Sequence, residues 1–269
     1  SGEQFNGAVV NLGALGVVSK LTLDLVPTFG MKQVVYLDLP MAALKHHFNR
    51  IQALGYSVSL FTDWQNKTIS EVWIKCKANG TNTLPPDLYG ASLAATTVHP
   101  IAGQSAENVT EQLGVPGKWY ERMPHFKMGF KPSAGEELQS EFFVPLETAY
   151  EAVMAIELLH EKIAPHLFVS EIRTIAADNF WLSPFYRRPS VAFHFTWKQH
   201  NEAVLELLPL IEKQLAPFHP RPHWAKLFTL APNVLQSQYE KLEDFRQLAL
   251  QFDPSGRFRN DYLDRNIFA

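Results

Sequence analysis

Phe168-Val169-Ser170-Glu171-Ile172-Arg173-Thr174 reads as a β-strand in which polar and apolar residues alternate. Side chains repeat every second position along a strand, so Glu171 and Arg173 share one face while neighbours such as Ile172 take the other. A carboxylate and a guanidinium held side by side on a rigid strand can grip a polar substrate. The next strand, Val191-Ala192-Phe193-His194-Phe195-Thr196-Trp197-Lys198, places His194 and Thr196 on one face and apolar residues on the other. If the two strands are neighbours, four polar side chains converge.

Residues 140–144 read as a strand and 146–163 as a helix stopped near Pro165; the strands over 167–174 and 190–197 complete a βαββ unit. The same order occurs earlier, with a strand over 33–39, an amphipathic helix over 41–54 stopped by Gly55, and strands over 56–62 and 69–77. Both helices start from a proline step, Leu39-Pro40 and Val144-Pro145, where proline is favoured early in a helix. A further helix is expected over 201–215. Two such units predict an α+β fold, one antiparallel sheet with helices on one face, spanning 30–216. Between the units, residues 84–132 are rich in Pro, Gly, Ser and Thr and too long for a plain connection, which points to a functional or partner-facing loop.

The flanks read differently. Residues 8–18 form a glycine-punctuated apolar run, Ala8-Val9-Val10-Asn11-Leu12-Gly13-Ala14-Leu15-Gly16-Val17-Val18, continued by the alternating Leu21-Thr22-Leu23-Asp24-Leu25 and stopped by Pro27. This predicts a hairpin, and two strands alone would be marginal. Residues 1–29 are therefore expected to be the last strands of another domain. Residues 217–269 hold a stiff proline-rich segment through Lys226, a helix over 233–252 and a tight turn over 252–258.

The chain has 269 residues, 46% of them hydrophobic and 12% aromatic, which describes a folded globular protein. Its net charge of -3 and lack of Lys/Arg runs argue against nucleic acid as a partner. Its one cysteine, Cys76, leaves no internal disulfide and no thiolate metal cluster. No apolar run is long enough to span a bilayer and no leader opens the chain, so a cytoplasmic protein without a membrane partner is expected.

Several motifs together carry a resemblance. They are Leu12-Gly13-Ala14-Leu15-Gly16 followed by Leu23-Asp24-Leu25-Val26-Pro27, Ser170-Glu171-Ile172-Arg173-Thr174 with Asn179-Phe180-Trp181-Leu182-Ser183-Pro184, Phe195-Thr196-Trp197, His223-Trp224-Ala225-Lys226 and Phe252-Asp253-Pro254. In this order they resemble the alditol (xylitol, sorbitol) oxidases, in the sugar-lactone oxidase branch of the vanillyl-alcohol-oxidase type flavoproteins. The resemblance covers nearly the whole chain. It implies an FAD enzyme with a flavin domain, a substrate-binding cap and a C-terminal return to the flavin domain. On that footing residues 30–216 are the cap and 217–269 the return. The N-terminal flavin-binding region, with its flavin-linked histidine, is expected to lie outside this chain, leaving the chain inactive alone and without FAD of its own.

The resemblance further implies that Glu171, Arg173, Thr196 and Lys226 bind a polyol, with Arg173 and Lys226 beside the reacting oxygen and His194 relaying a proton. His223, Gly13, Gly16 and Val17 are implied on the cofactor side. Plainer readings exist for each: Glu171 and Arg173 suit a solvated sheet surface, His194 a structural hydrogen bond, and Lys226 an ordinary surface position. The glycine turn lacks the G-x-G-x-x-G spacing of a dinucleotide fingerprint. Three functions therefore compete: a polyol oxidase reducing oxygen to hydrogen peroxide, an aldonolactone oxidase acting on gulono- or arabinono-lactone, and a sugar-binding module without redox chemistry.

Overall fold

The computed structural model describes residues 2–80, 84–130 and 137–269. A short helix α1 (Glu3–Val9) precedes strand β1 (Gly30–Pro40), helix α2 (Leu44–Gln52) and strands β2 (Ser57–Thr62) and β3 (Thr68–Lys77). A long excursion carries β4 (Asp87–Leu88), β5 (Ala91–Leu93), β6 (Gly117–Lys118) and the helical turn α3 (Trp119–Arg122). The second unit is β7 (Leu138–Pro145), α4 (Ala149–Glu157), α5 (His160–Ile163), β8 (Leu167–Ile175) and β9 (Ser190–Trp197), followed by α6 (Asn201–Leu215). The chain closes with β10 (Arg221–Pro222), α7 (Pro232–Ser237), α8 (Leu242–Phe252) and α9 (Asp261–Leu263). Pro40 and Pro145 end their strands and lead directly into a helical turn in both units.

Among the described residues ten strands join one antiparallel sheet, ordered β10-β7-β9-β8-β2-β3-β1-β5-β4, with β6 beside β1. The two βαββ units meet where β2 pairs with β8, Phe61 opposite Glu171. Alternation decides the two faces. Phe142, Ile172, Phe193 and Trp197 point to the side covered by α2, α4 and α6 and form the main core. Each such fully buried side chain contributes about 1.5–3 kcal/mol. The two core tryptophans donate their indole N–H to serines on neighbouring strands, Trp64 to Ser170 (2.7 Å) and Trp197 to Ser140 (2.9 Å).

The other face carries Glu141, Val169, Glu171, Arg173, His194 and Thr196, with Phe61, Trp73 and Val35 farther along. The excursion folds over this apolar half, packing Val109, Ile101 and Phe126 on it. Positions 131 and 132, at the end of the stretch read as a functional loop, lie outside the described residues.

Three expectations change. Residues 8–18 form no hairpin: the chain makes α1, then an Asn11-centred turn in which the side-chain oxygen accepts from Gly13 N–H (2.8 Å). Gly13 and Gly16 have φ of +83° and +114°, a region open to glycine. Residues 17–29 belong to no strand, and Leu21, Leu23, Leu25 and Val26 are exposed. Alternation encodes a strand face, but a strand forms only beside a partner that takes its backbone hydrogen bonds, and none of the described strands lies there. The helix expected over 233–252 breaks between α7 and α8, where the Gln238 carbonyl accepts from buried Arg221 Nε (3.0 Å). The helix expected over 146–163 is interrupted at Leu158–Leu159.

The terminal segments build a second core around Trp181, Trp224, Tyr239 and Phe245. Gly7 lets α1 approach it, since a Cβ there would stand 2.5 Å from the Trp181 ring. Among the described residues no helix is long and apolar enough to cross a membrane.

Candidate active site

Antiparallel register lines up three polar residues across adjacent strands, Glu141 of β7 opposite His194 of β9, and His194 opposite Glu171 of β8. One row further along lie Gln139 and Thr196. Arg173, two residues beyond Glu171, reaches back between the carboxylates: its Nη2 donates to Glu141 Oε1 (2.7 Å) and its Nε lies 3.7 Å from Glu171 Oε1. That Nε has no hydrogen-bond partner among the described residues.

Lys226 arrives from outside the sheet. β10 pairs with the β7 edge, then His223 N–H donates to the Glu141 carbonyl (2.9 Å) and Leu227 N–H to the Gln139 carbonyl (2.9 Å). The three residues between them bulge out over the edge. Trp224 anchors the bulge by donating to the Leu182 carbonyl (2.7 Å), and Tyr262 donates its hydroxyl to the Trp224 carbonyl (2.6 Å). The Lys226 ammonium is thereby placed 2.5 Å from Glu141 Oε2 and 2.8 Å from His194 Nδ1.

An ammonium has three donors and no acceptor, so His194 Nδ1 accepts from Lys226 and its Nε2–H donates to Thr196 Oγ1 (3.1 Å). Burial would push the Glu141 carboxyl up, but the charges of Arg173 and Lys226 and the Lys226 hydrogen bond outweigh it and hold it well below the usual carboxylate range. Glu171 follows the same logic. Burial is outweighed by the His125 hydrogen bond and by Arg173, leaving the carboxyl at about 2. Both acids are carboxylates at neutral pH, each beside a guanidinium.

Two hollows adjoin this cluster. A cavity of about 220 Å³ is lined by Glu171, His194, Thr196, Gln139, His125 and Phe126 among others. A wider cleft of about 840 Å³ is lined by Lys226, His223, Trp224, Tyr262 and Leu12, and Gln139 borders both. Glu171, Arg173, His194, Thr196 and Lys226 are thus brought together. His223 faces the cleft, where its Nδ1 accepts from Ala225 N–H (3.1 Å). Gly13, Gly16 and Val17 stay with the terminal lobe: Gly16 packs near Phe258, and Val17 is exposed. Of their turn, Leu12 lines the cleft.

Sequence reasoning missed Glu141, although a lone acid between Ser140 and Phe142 in a buried strand is a readable signal. It also missed His125 and Lys75. His125 sits in the excursion, 46 residues from Glu171 in the chain but 3.1 Å from its Oε1, and no local pattern marks it.

The D-arabinono-1,4-lactone oxidase family profile matches residues 131–266. The alditol oxidase of Streptomyces sp. (strain IKD472 / FERM P-14339) is 46% identical over 261 residues, covering 97% of this chain and 62% of that protein. The L-gulonolactone oxidase of Mus musculus is 24% identical over 285 residues, 99% of this chain and 63% of that protein. The chain thus spans about three fifths of the length of these curated relatives. Among solved structures, Physcomitrella patens BBE-like 1 variant D396N shares the fold at a TM-score of 0.50 and 9% identity, over 89% of this chain and 54% of that one.

Proposed function

The chain belongs to the D-arabinono-1,4-lactone oxidase family, and from that premise we propose that it supplies the substrate wall of an FAD-dependent oxidase of polyols. The reaction is RCH2OH + O2 → RCHO + H2O2, giving an aldose from a primary alcohol. The observation that carries this reading is the pairing of two cations, Arg173 and Lys226, on one buried carboxylate, Glu141, beside a small cavity lined by Glu171 and Thr196. Such a cluster offers many donors and acceptors to an open chain of hydroxyls, and the alditol oxidase is the more similar of the relatives compared.

The wide cleft suits a flavin. Its volume of about 840 Å³ admits a planar ring system, and Lys226 and His223 face it from the cavity side. Residues holding the ring there would be His223, Trp224 and Leu12. When bound, the flavin supplies the acceptor for the hydride leaving the alcohol carbon.

The chain's own residues would do the rest. Lys226 and Arg173 meet the reacting oxygen and stabilise the negative charge that grows on it. Lys226 passes one proton to His194 Nδ1, and its Nζ then takes the hydroxyl proton. The resulting imidazolium is held by Glu141 Oε2, 3.5 Å away, and by Thr196. Glu171 and Thr196 bind the remaining hydroxyls and so select the carbon that faces the cleft.

Peroxide release from the flavin-loaded full-length protein, measured over a panel of polyols and aldonolactones, tests the proposal. Higher kcat/KM on polyols supports it. Preference for lactones moves the reading to a lactone oxidase, and a colourless protein that binds sugars without turnover points to a binding module.

A further inference from the structure

Glu171 is held from behind by a buried pair that the chemistry above does not use. Lys75 of β3 is 2% exposed; its side-chain amine donates to the Met123 carbonyl of the excursion and lies 3.1 Å from His125 Nδ1. The His125 ring stands edge-on to Phe61 (5.3 Å) and Trp73 (5.2 Å), and its Nε2 is 3.1 Å from Glu171 Oε1. The excursion is laced down on both sides of this ring. Thr110 N–H donates to the His125 carbonyl (3.0 Å) and Thr110 Oγ1 to the Pro124 carbonyl (2.7 Å).

We propose that His125, locked by Lys75, is the positioning residue that presents Glu171 to one substrate hydroxyl as a fixed acceptor. Because the Glu171 carboxylate accepts only, the imidazole proton sits on Nε2 and points at Glu171 Oε1, and Nδ1 accepts from the Lys75 amine, whose own pKa burial pulls down to about 7. Burial pushes the His125 imidazole below its ordinary value, so the ring is a neutral single-tautomer donor at neutral pH. With His125 on one oxygen and Ser59 also hydrogen-bonded to the carboxylate, Glu171 keeps lone-pair capacity to accept from a hydroxyl lying in the adjoining cavity. A carboxylate accepts only, so this site reads hydroxyl donors and rejects a deoxy analogue, whose absence of a donor leaves the buried acceptor unpaired. The proposal rests on the polyol reading, and it adds a discrimination rule supplied by a loop residue.

The test uses the flavin-loaded full-length protein. His125→Phe keeps the ring between Phe61 and Trp73 but removes both nitrogens, and His125→Gln restores an amide donor near the Nε2 position. His125→Phe is expected to raise KM for the preferred polyol about tenfold, with kcat within about threefold, and to narrow its preference over the deoxy analogue. His125→Gln should recover most of both. An unmoved KM and preference in His125→Phe, or equal losses in Phe and Gln variants, would overturn the proposal. If His125→Phe fails to fold, ¹⁵N NMR of wild-type histidines decides instead: a protonated Nε2 that shifts in Lys75→Met supports the lock, and a protonated Nδ1 overturns it. Wild-type protein that turns over no polyol sinks the oxidase reading, whereas normal wild-type turnover with insensitive variants sinks this proposal alone.

Discussion

Lys226 places its ammonium 2.5 Å from Oε2 of Glu141, a carboxylate on the edge-paired strand β7, while Arg173 holds the other oxygen at 2.7 Å. One buried acid thus sets the separation of two cations that arrive from different parts of the chain. Glu141→Gln removes the charge but keeps the shape. In the flavin-loaded enzyme it should lower kcat/KM about 100-fold, since both cations lose their common anchor. The stability cost should be smaller, about 1–2 kcal/mol, because the Arg173 and Lys226 side chains are 39% and 17% exposed and solvent screens them. Steady-state kinetics and urea unfolding of the same variant check the two figures.

Arg173→Ala should separate function from folding. Its Nε makes no hydrogen bond among the described residues and its head is partly exposed, so little of the fold depends on it. Turnover is expected to fall by about 100-fold or more, with a stability loss near 1 kcal/mol. Equal losses in thermal midpoint and activity across an Arg173 series would instead assign it a structural role.

Glu71, on the same sheet face, gives a pH signature. Burial raises its carboxyl to about 7 against the pull of the Trp73 indole hydrogen bond (2.6 Å). The folded chain therefore keeps a proton there that the unfolded chain releases from about 4.5 upward. Stability from this group is present in acid and is lost as pH climbs through about 7. Glu71→Gln keeps an acceptor for Trp73 and should be more favourable at pH 8 than at pH 4.5 by about 2 kcal/mol. Denaturation midpoints at the two pH values read this difference, and no difference would mean that the carboxyl titrates normally.

Gly7 marks the closest approach of α1 to the terminal core. A Cβ there would stand 2.5 Å from Trp181 and 2.6 Å from Leu248. Gly7→Ala should cost about 1–3 kcal/mol despite alanine's better helix propensity. Intrinsic tryptophan fluorescence during thermal unfolding would register the loss, and a stabilised Gly7→Ala would refute the tight packing.

Much of the fold was legible because its signals are local. Period-two alternation in 167–174 and 190–197 and the proline steps at Pro40 and Pro145 located strands and helix starts close to where they stand. The alternation in 21–25 was equally clear and formed no strand, since pairing needs a neighbour that a periodicity cannot supply. The same limit applied to the site. Glu171 with Arg173, and His194 with Thr196, were readable as same-face pairs, because each pair lies two residues apart on one strand.

The sequence alone sets the faces within each strand: which side chains point together, an acid with a cation on one strand and a histidine with a threonine on another. Only the tertiary structure decided which strands are neighbours, and so put Glu141 opposite His194 and bound it to Lys226, 85 residues away. It also folded the excursion back to set His125 between Lys75 and Glu171. Faces follow from the geometry of a single strand. The order of strands and the docking of loops follow from burying apolar surface across the whole chain, a cooperative outcome that no short stretch encodes.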